Sequence, residues 1–200
     1  FSGLTGTVGD FDWEIFGQYG KTSNRATYPN AIRASRLVAA RDVIADPVTG
    51  APVCRDEAAR AAGCVPYNIF GYDEPTEAQR DWMYAVRERS IVNTQTIFGA
   101  SIVGSAFSLP YGDVSLALGA EYRRDTLKRI DDPLATLDEL AHFASYGRVL
   151  DIDASQAATE GYAELVVPVL EGLPFAQRLQ VEGAYRYSDY DRSGGTSTWK

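Results

Sequence analysis

The sequence is poor in the residues on which most enzymes and metal centres depend. Histidine occurs once and cysteine twice in 200 residues. A Ser-His-Asp or Cys-His arrangement would have to use His142, which stands in an irregular acidic stretch with no nucleophile elbow nearby, so no enzymatic activity is expected. Two thiols far from that histidine do not make a four-ligand zinc site, and neither a metal nor a cofactor is expected. Positive charge is also scarce. With 19 Lys and Arg against 27 Asp and Glu the net charge is -8, which argues against a nucleic-acid partner. No run approaches the roughly 18 consecutive apolar residues of a membrane helix. That absence leaves strand-crossing proteins open, because a transmembrane strand shows lipid an apolar residue only at alternate positions. Mean hydropathy of -0.21 and 23% charged residues would equally suit a soluble domain. There is no initiating Met or signal peptide at Phe1, and Trp199-Lys200 reads as the start of another strand, so a piece of a longer protein is expected.

What the chain does have is alternation with a period of two, in five segments. The clearest is Val114 to Arg123, where even positions carry Val114, Leu116, Leu118, Ala120 and Tyr122 and odd ones end in Glu121 and Arg123. A strand built this way has an oily side and a charged side. The strands are placed at about 11–21, 91–109, 114–124, 156–169 and 177–190. In the first, Phe11, Trp13, Ile15, Gly17 and Tyr19 oppose Asp12, Glu14, Phe16 and Gln18; in the last, Leu179, Val181, Gly183, Tyr185 and Tyr187 oppose Arg178, Gln180, Glu182 and Arg186. The opening Gly3 to Asp10, with three spaced glycines, reads as turn material.

The connections alternate between long and short. Residues 22–90 form a long loop with helices expected over Ile32 to Ile44 and Glu77 to Arg89, and residues 125–155 form a second, acidic one. Tight turns are expected at 109–113 and 170–176, and another outer loop opens at Asp191 to Thr196. Short turns on one rim and long loops on the other are the pattern of a transmembrane β-barrel. The fold expected is therefore all-β: an antiparallel up-and-down meander forming an arc of such a barrel, with long, partly helical extracellular loops and the tight turns facing the periplasm.

The order and wording of several stretches resemble a TonB-dependent outer-membrane receptor. They are Ala39-Ala40-Arg41-Asp42-Val43-Ile44-Ala45-Asp46-Pro47-Val48-Thr49-Gly50, Gly63-Cys64-Val65-Pro66-Tyr67-Asn68-Ile69-Phe70-Gly71, Phe107-Ser108-Leu109-Pro110-Tyr111-Gly112, Gly119-Ala120-Glu121-Tyr122-Arg123, Glu160-Gly161-Tyr162-Ala163-Glu164-Leu165-Val166-Val167-Pro168 and Arg186-Tyr187-Ser188-Asp189-Tyr190. The resemblance implies a barrel of about 22 strands around an N-terminal plug. It implies location in the outer membrane of a Gram-negative bacterium and import of a scarce solute, such as a siderophore, cobalamin or saccharide. The implied partners are outer-membrane lipid, a small-molecule ligand and the TonB complex. The plug and the TonB-binding segment are missing from this stretch, so no energy-coupling residue is assigned. A passive porin-like or structural barrel is the alternative, since it predicts the same strands though not the cysteine-bearing loop. A barrel-borne hydrolase is disfavoured by the single histidine.

In an exported protein Cys54 and Cys64, which share one loop, are expected to form a disulfide. The charges Glu14, Glu121, Arg123, Glu160, Glu164, Glu182 and Arg186 fall on the strand faces away from lipid, where the resemblance implies contact with the plug; a solvated face of a soluble sheet is the competing reading. Among loop aromatics, Trp82, Tyr84 and Tyr146 are the candidates to touch ligand, with packing of the loop's own core preferred for any single residue. The carboxylates Asp131, Asp132, Asp138, Glu139, Asp151 and Asp153 could hold calcium, but they lack EF-hand spacing and are read as a solvated loop.

Overall fold

The computed structural model describes residues 1–70, 73–136, 140–141, 149–174 and 176–200. It is an antiparallel, up-and-down β meander. The elements run β1 (Ser2–Val8), β2 (Phe11–Arg33), α1 (Ala34–Arg41), β3 (Val43–Ala45), β4 (Pro52–Cys54), α2 (Glu57–Ala61), α3 (Glu77–Met83), β5 (Tyr84–Leu109), β6 (Gly112–Asp131), α4 (Pro133–Thr136), β7 (Leu140–Ala141), β8 (Ile152–Leu173), β9 (Ala176–Tyr190) and β10 (Gly194–Trp199). The main sheet has the order β1-β2-β5-β6-β8-β9-β10, with β7 beside β2, while β3 and β4 form a separate hairpin. Among the described residues this sheet ends at β1 and β10 and does not close.

The strands are longer than the alternation alone indicated. β2 runs to Arg33 rather than 21, β5 begins at Tyr84 rather than 91, β6 continues to Asp131 rather than 124, and β8 begins at Ile152 rather than 156. The expected loops 22–90 and 125–155 therefore shrink to 34–83 and 132–151. Lys21 to Asn30 is polar on both faces, so the period-two signal fades there, yet a ladder needs only backbone partners and goes on. The expected helix Ile32 to Ile44 is confined to α1. The second ends at Met83, not Arg89; its start is fixed by a reciprocal cap in which the Gln79 amide donates to the Thr76 hydroxyl and the Thr76 amide to the Gln79 side chain.

Two further corrections concern the ends. Of the stretch Gly3 to Asp10 expected as turn material, only Gly9 and Asp10 form a turn; Gly3 to Val8 belong to β1, paired with β2 so that Leu4 faces Ile15 and Gly6 faces Trp13. A Cβ on Gly6 would lie 2.6 Å from the Trp13 ring, so glycine sits in this strand to make room for an indole rather than to bend the chain. The outer loop expected over Asp191 to Thr196 is a tight turn at residues 191–193, and Gly194 to Thr196 already belong to β10, which pairs with β9.

The chain divides into two compact units, 1–22 with 92–127 and 153–200, and 23–91 with 128–152. The first has almost no interior. Val114 and Ala158 are its only buried apolar side chains among the described residues, whereas Ile15, Phe98, Leu118, Leu165, Val181 and Tyr185 are all exposed. Its strands stand as one layer with two chemically distinct faces. In the β8–β9 ladder Leu165 pairs with Gly183 and Val167 with Val181 on one face, while Tyr162 pairs with Arg186 and Val166 with Glu182 on the other. On β5 the separation is less strict, since Val103 and Phe107 fall at odd positions and are exposed.

The second unit has a small core of its own. Ala40, Trp82 and Met83 are buried, with Leu37, Ala59, Cys64, Tyr67 and Tyr84 packed around them. The indole Nε1–H of Trp82 donates to the Arg36 carbonyl at 3.0 Å, the Arg36 guanidinium returns a bond to the Trp82 carbonyl, and the same guanidinium lies 4.7 Å from the ring centre. Asp46 folds the β3–β4 turn by accepting from the amides of Thr49 and Val48, and these bonds, the Thr49 amide first, hold its carboxyl below the usual range.

Candidate functional site

Cys54 and Cys64, ten positions apart, form a disulfide with Cα atoms 6.3 Å apart that closes a loop of the second unit around α2. In the chain-entropy account a loop of this size is worth about 3 kcal/mol. We expect Cys54→Ser or Cys64→Ser to lower the local stability of this unit by about that amount. Hydrogen exchange at 34–83 is the readout; protection equal to that of the parent protein would contradict the expectation.

The charged face of the first unit gathers residues from neighbouring strands. Arg186 on β9 lies over the Tyr162 ring of β8 at 5.4 Å and 3.9 Å from Glu160, whose carboxylate also accepts from the Tyr190 hydroxyl at 3.3 Å. Glu182 pairs with Lys200 at 2.7 Å, because Lys200 continues β10 and exchanges backbone bonds with Ala184. Arg123 reaches Asp125 at 3.5 Å, and Asp125 accepts from the Gln95 carboxamide at 2.9 Å. Glu160, Glu182, Arg186 and Arg123 thus enter side-chain pairs. Among the described residues Glu14, Glu121 and Glu164 make no ion pair, and Glu164 stands on the same face of β8 as Glu160 and Tyr162. Gly119 leaves space for the Tyr162 ring, which a Cβ there would clash with. A groove of about 620 Å³ crosses β2, β5, β6 and β8, lined by Thr22, Asn93, Gln95, Asp125, Gln156 and Arg192. Its lining offers hydroxyl and carboxamide groups and one charge of each sign.

In the second unit the strongest electrostatic feature is one that no sequence pattern announced. Asp131 is 5% exposed and is held by a two-pronged bond from Arg87, Nε and Nη2 each at 2.8 Å, and by Arg129 Nη2 at 3.0 Å. Burial by itself raises the carboxyl pKa; the hydrogen bonds from Arg87 and Arg129 outweigh it and bring the value down to about 2. The backbone amide of Asp131 donates to Asp151 at 2.8 Å, and the Asp132 carboxylate accepts from the Leu134 amide. These carboxylates serve arginines and backbone amides, and among the described residues no cluster of His, Cys, Asp or Glu is placed to hold a metal ion.

Of the loop aromatics, Trp82 is buried in the unit's core and Tyr84 packs against it, so Trp82 does not present its ring to a ligand. Tyr146, with His142, Tyr72, Asp138 and Glu139, lies outside the described residues. Comparison with protein families, curated proteins and solved structures finds no match to this chain.

Proposed function

We propose that the chain is part of the wall of an outer-membrane β-barrel that imports a scarce solute with energy relayed by TonB. The observation that carries this reading is the exposed apolar face of a single-layered sheet. Val181 is 57% and Tyr185 51% exposed, and among the described residues the unit that holds them has no second layer of its own to cover them. In water such a face would drive aggregation. Against acyl chains it is the stable arrangement, with the charged side chains turned to a polar lumen. About 9–11 tilted residues suffice to cross the hydrocarbon core. The 23 residues of β2 and 26 of β5 exceed that span, so the polar outer portions of these strands and the disulfide-closed region would shape the entrance for solute. The charges on the lumen face would hold a plug. No helix of the described residues is long and apolar enough to cross a membrane.

The test uses cells expressing the full-length protein. We expect it in the outer-membrane fraction, and uptake of its solute to stop when TonB is deleted or the proton gradient is collapsed. Uptake that persists under either condition would assign the protein to passive barrels instead.

A further inference from the structure

We propose that Arg89, Arg129 and Tyr28 form an oxyanion subsite in the second unit, one that takes a carboxylate or phosphate group of the solute; the inference rests on the import reading above. The ring of Tyr28 on β2 has two guanidinium groups against it, Arg87 and Arg89 of β5, each 5.5 Å from its centre. Arg87 is committed to Asp131 by two hydrogen bonds. Arg89 is not. It is half-buried, its Nε–H is shielded from water without an acceptor, and among the described residues it makes neither an ion pair nor a hydrogen bond. Arg129 spends Nη2 on Asp131 but its Nε–H is likewise shielded and unpartnered.

An arginine cannot shed its charge, and a shielded guanidinium donor without an acceptor is destabilising unless something supplies one. The nearby carboxylates are already engaged: Asp131 by two arginines, Asp151 by the Asp131 amide and Asp132 by the Leu134 amide. Guanidinium donors match the planar oxygens of a carboxylate or the face of a phosphate, and the tyrosine fixes the guanidinium planes by stacking. In a chain of net charge -8, Arg87 and Arg89 over one tyrosine and Arg87 and Arg129 on one aspartate, Arg87 common to both, favour an anion specifically rather than through bulk attraction.

The experiment titrates the full-length protein in detergent, at fixed ionic strength, with citrate, inorganic phosphate and sucrose, by calorimetry. One of the two oxyanions should bind and sucrose should not; preference for citrate assigns a carboxylate-bearing solute, preference for phosphate a phosphorylated one. Arg89→Gln should weaken the preferred anion tenfold or more while leaving the melting temperature unchanged or higher, because only the contact with the Tyr28 ring is lost and the shielded, unpartnered charge goes with it. Arg89→Lys should recover part of the affinity, and Arg25→Gln, on the exposed Arg25–Glu88 pair, should change nothing. Failure of both anions to bind, or undiminished binding by Arg89→Gln, overturns the subsite. Heat-modifiable migration of the same preparation reports separately on the barrel. A barrel indifferent to both anions overturns the subsite alone, and a protein that is no barrel overturns the import reading.

Discussion

Replacing Asp131 with alanine is expected to cost the second unit about 3–5 kcal/mol, the range for removing one partner of a buried charged network. The loss arises less from the missing attraction than from what stays behind: Arg87 and Arg129, with side chains 13% and 24% exposed, would keep their charge with neither the carboxylate nor full access to water. The same group sets an acid limit. Because the folded pKa of about 2 lies below the ordinary 3.8, the Asp131 contribution is fully present above pH 4 or so and is lost as pH falls toward 2. Hydrogen-exchange protection at Tyr84 to Arg89 should hold from pH 7 to about 4 and decline below it, whereas in Asp131→Ala it should be low throughout. Equal protection in the two proteins at pH 7 would contradict this account.

The second large effect concerns the apolar face. Val181→Arg should destabilise the inserted protein by about 2–4 kcal/mol, the cost of a cation on a lipid-facing strand near mid-bilayer. Gln180→Arg, one residue away, should be close to neutral, since its side chain stands on the face that already carries Glu182 and Arg186. Urea titration in lipid vesicles compares them directly. Equal destabilisation by both would mean that the two faces do not meet different surroundings.

Much of this architecture was legible because alternation reports which face a side chain takes. β8 and β9 extend only a few residues beyond the segments where apolar and polar residues alternate most cleanly, and their opposing faces emerge as the pattern requires. The pattern fails where the physical demand behind it lapses. From Lys21 to Asn30 no oily face is needed, so the continuation of β2 left no trace in the hydropathy. The glycines of β1 mimic a turn, and only the ladder shows that Gly6 makes room for the Trp13 ring across from it. The disulfide was readable from the chain's two cysteines sharing one loop. The Arg87–Asp131 pair was not: its members are 44 residues apart, and a local pattern gives no indication that β5 and β6 bring them together.

The central claim, that one face of this sheet meets lipid and the other a polar lumen, is tested most directly by residue-by-residue quenching along β9. Single reporter labels at positions 178 to 187 of the full-length protein, in its native outer membrane, are exposed in turn to a lipid-soluble and a water-soluble quencher. The account predicts alternation: labels at Leu179, Val181, Gly183, Tyr185 and Tyr187 respond to the lipid-soluble quencher, and those at Arg178, Gln180, Glu182 and Arg186 do not. Uniform response to the water-soluble quencher along the whole strand would contradict it.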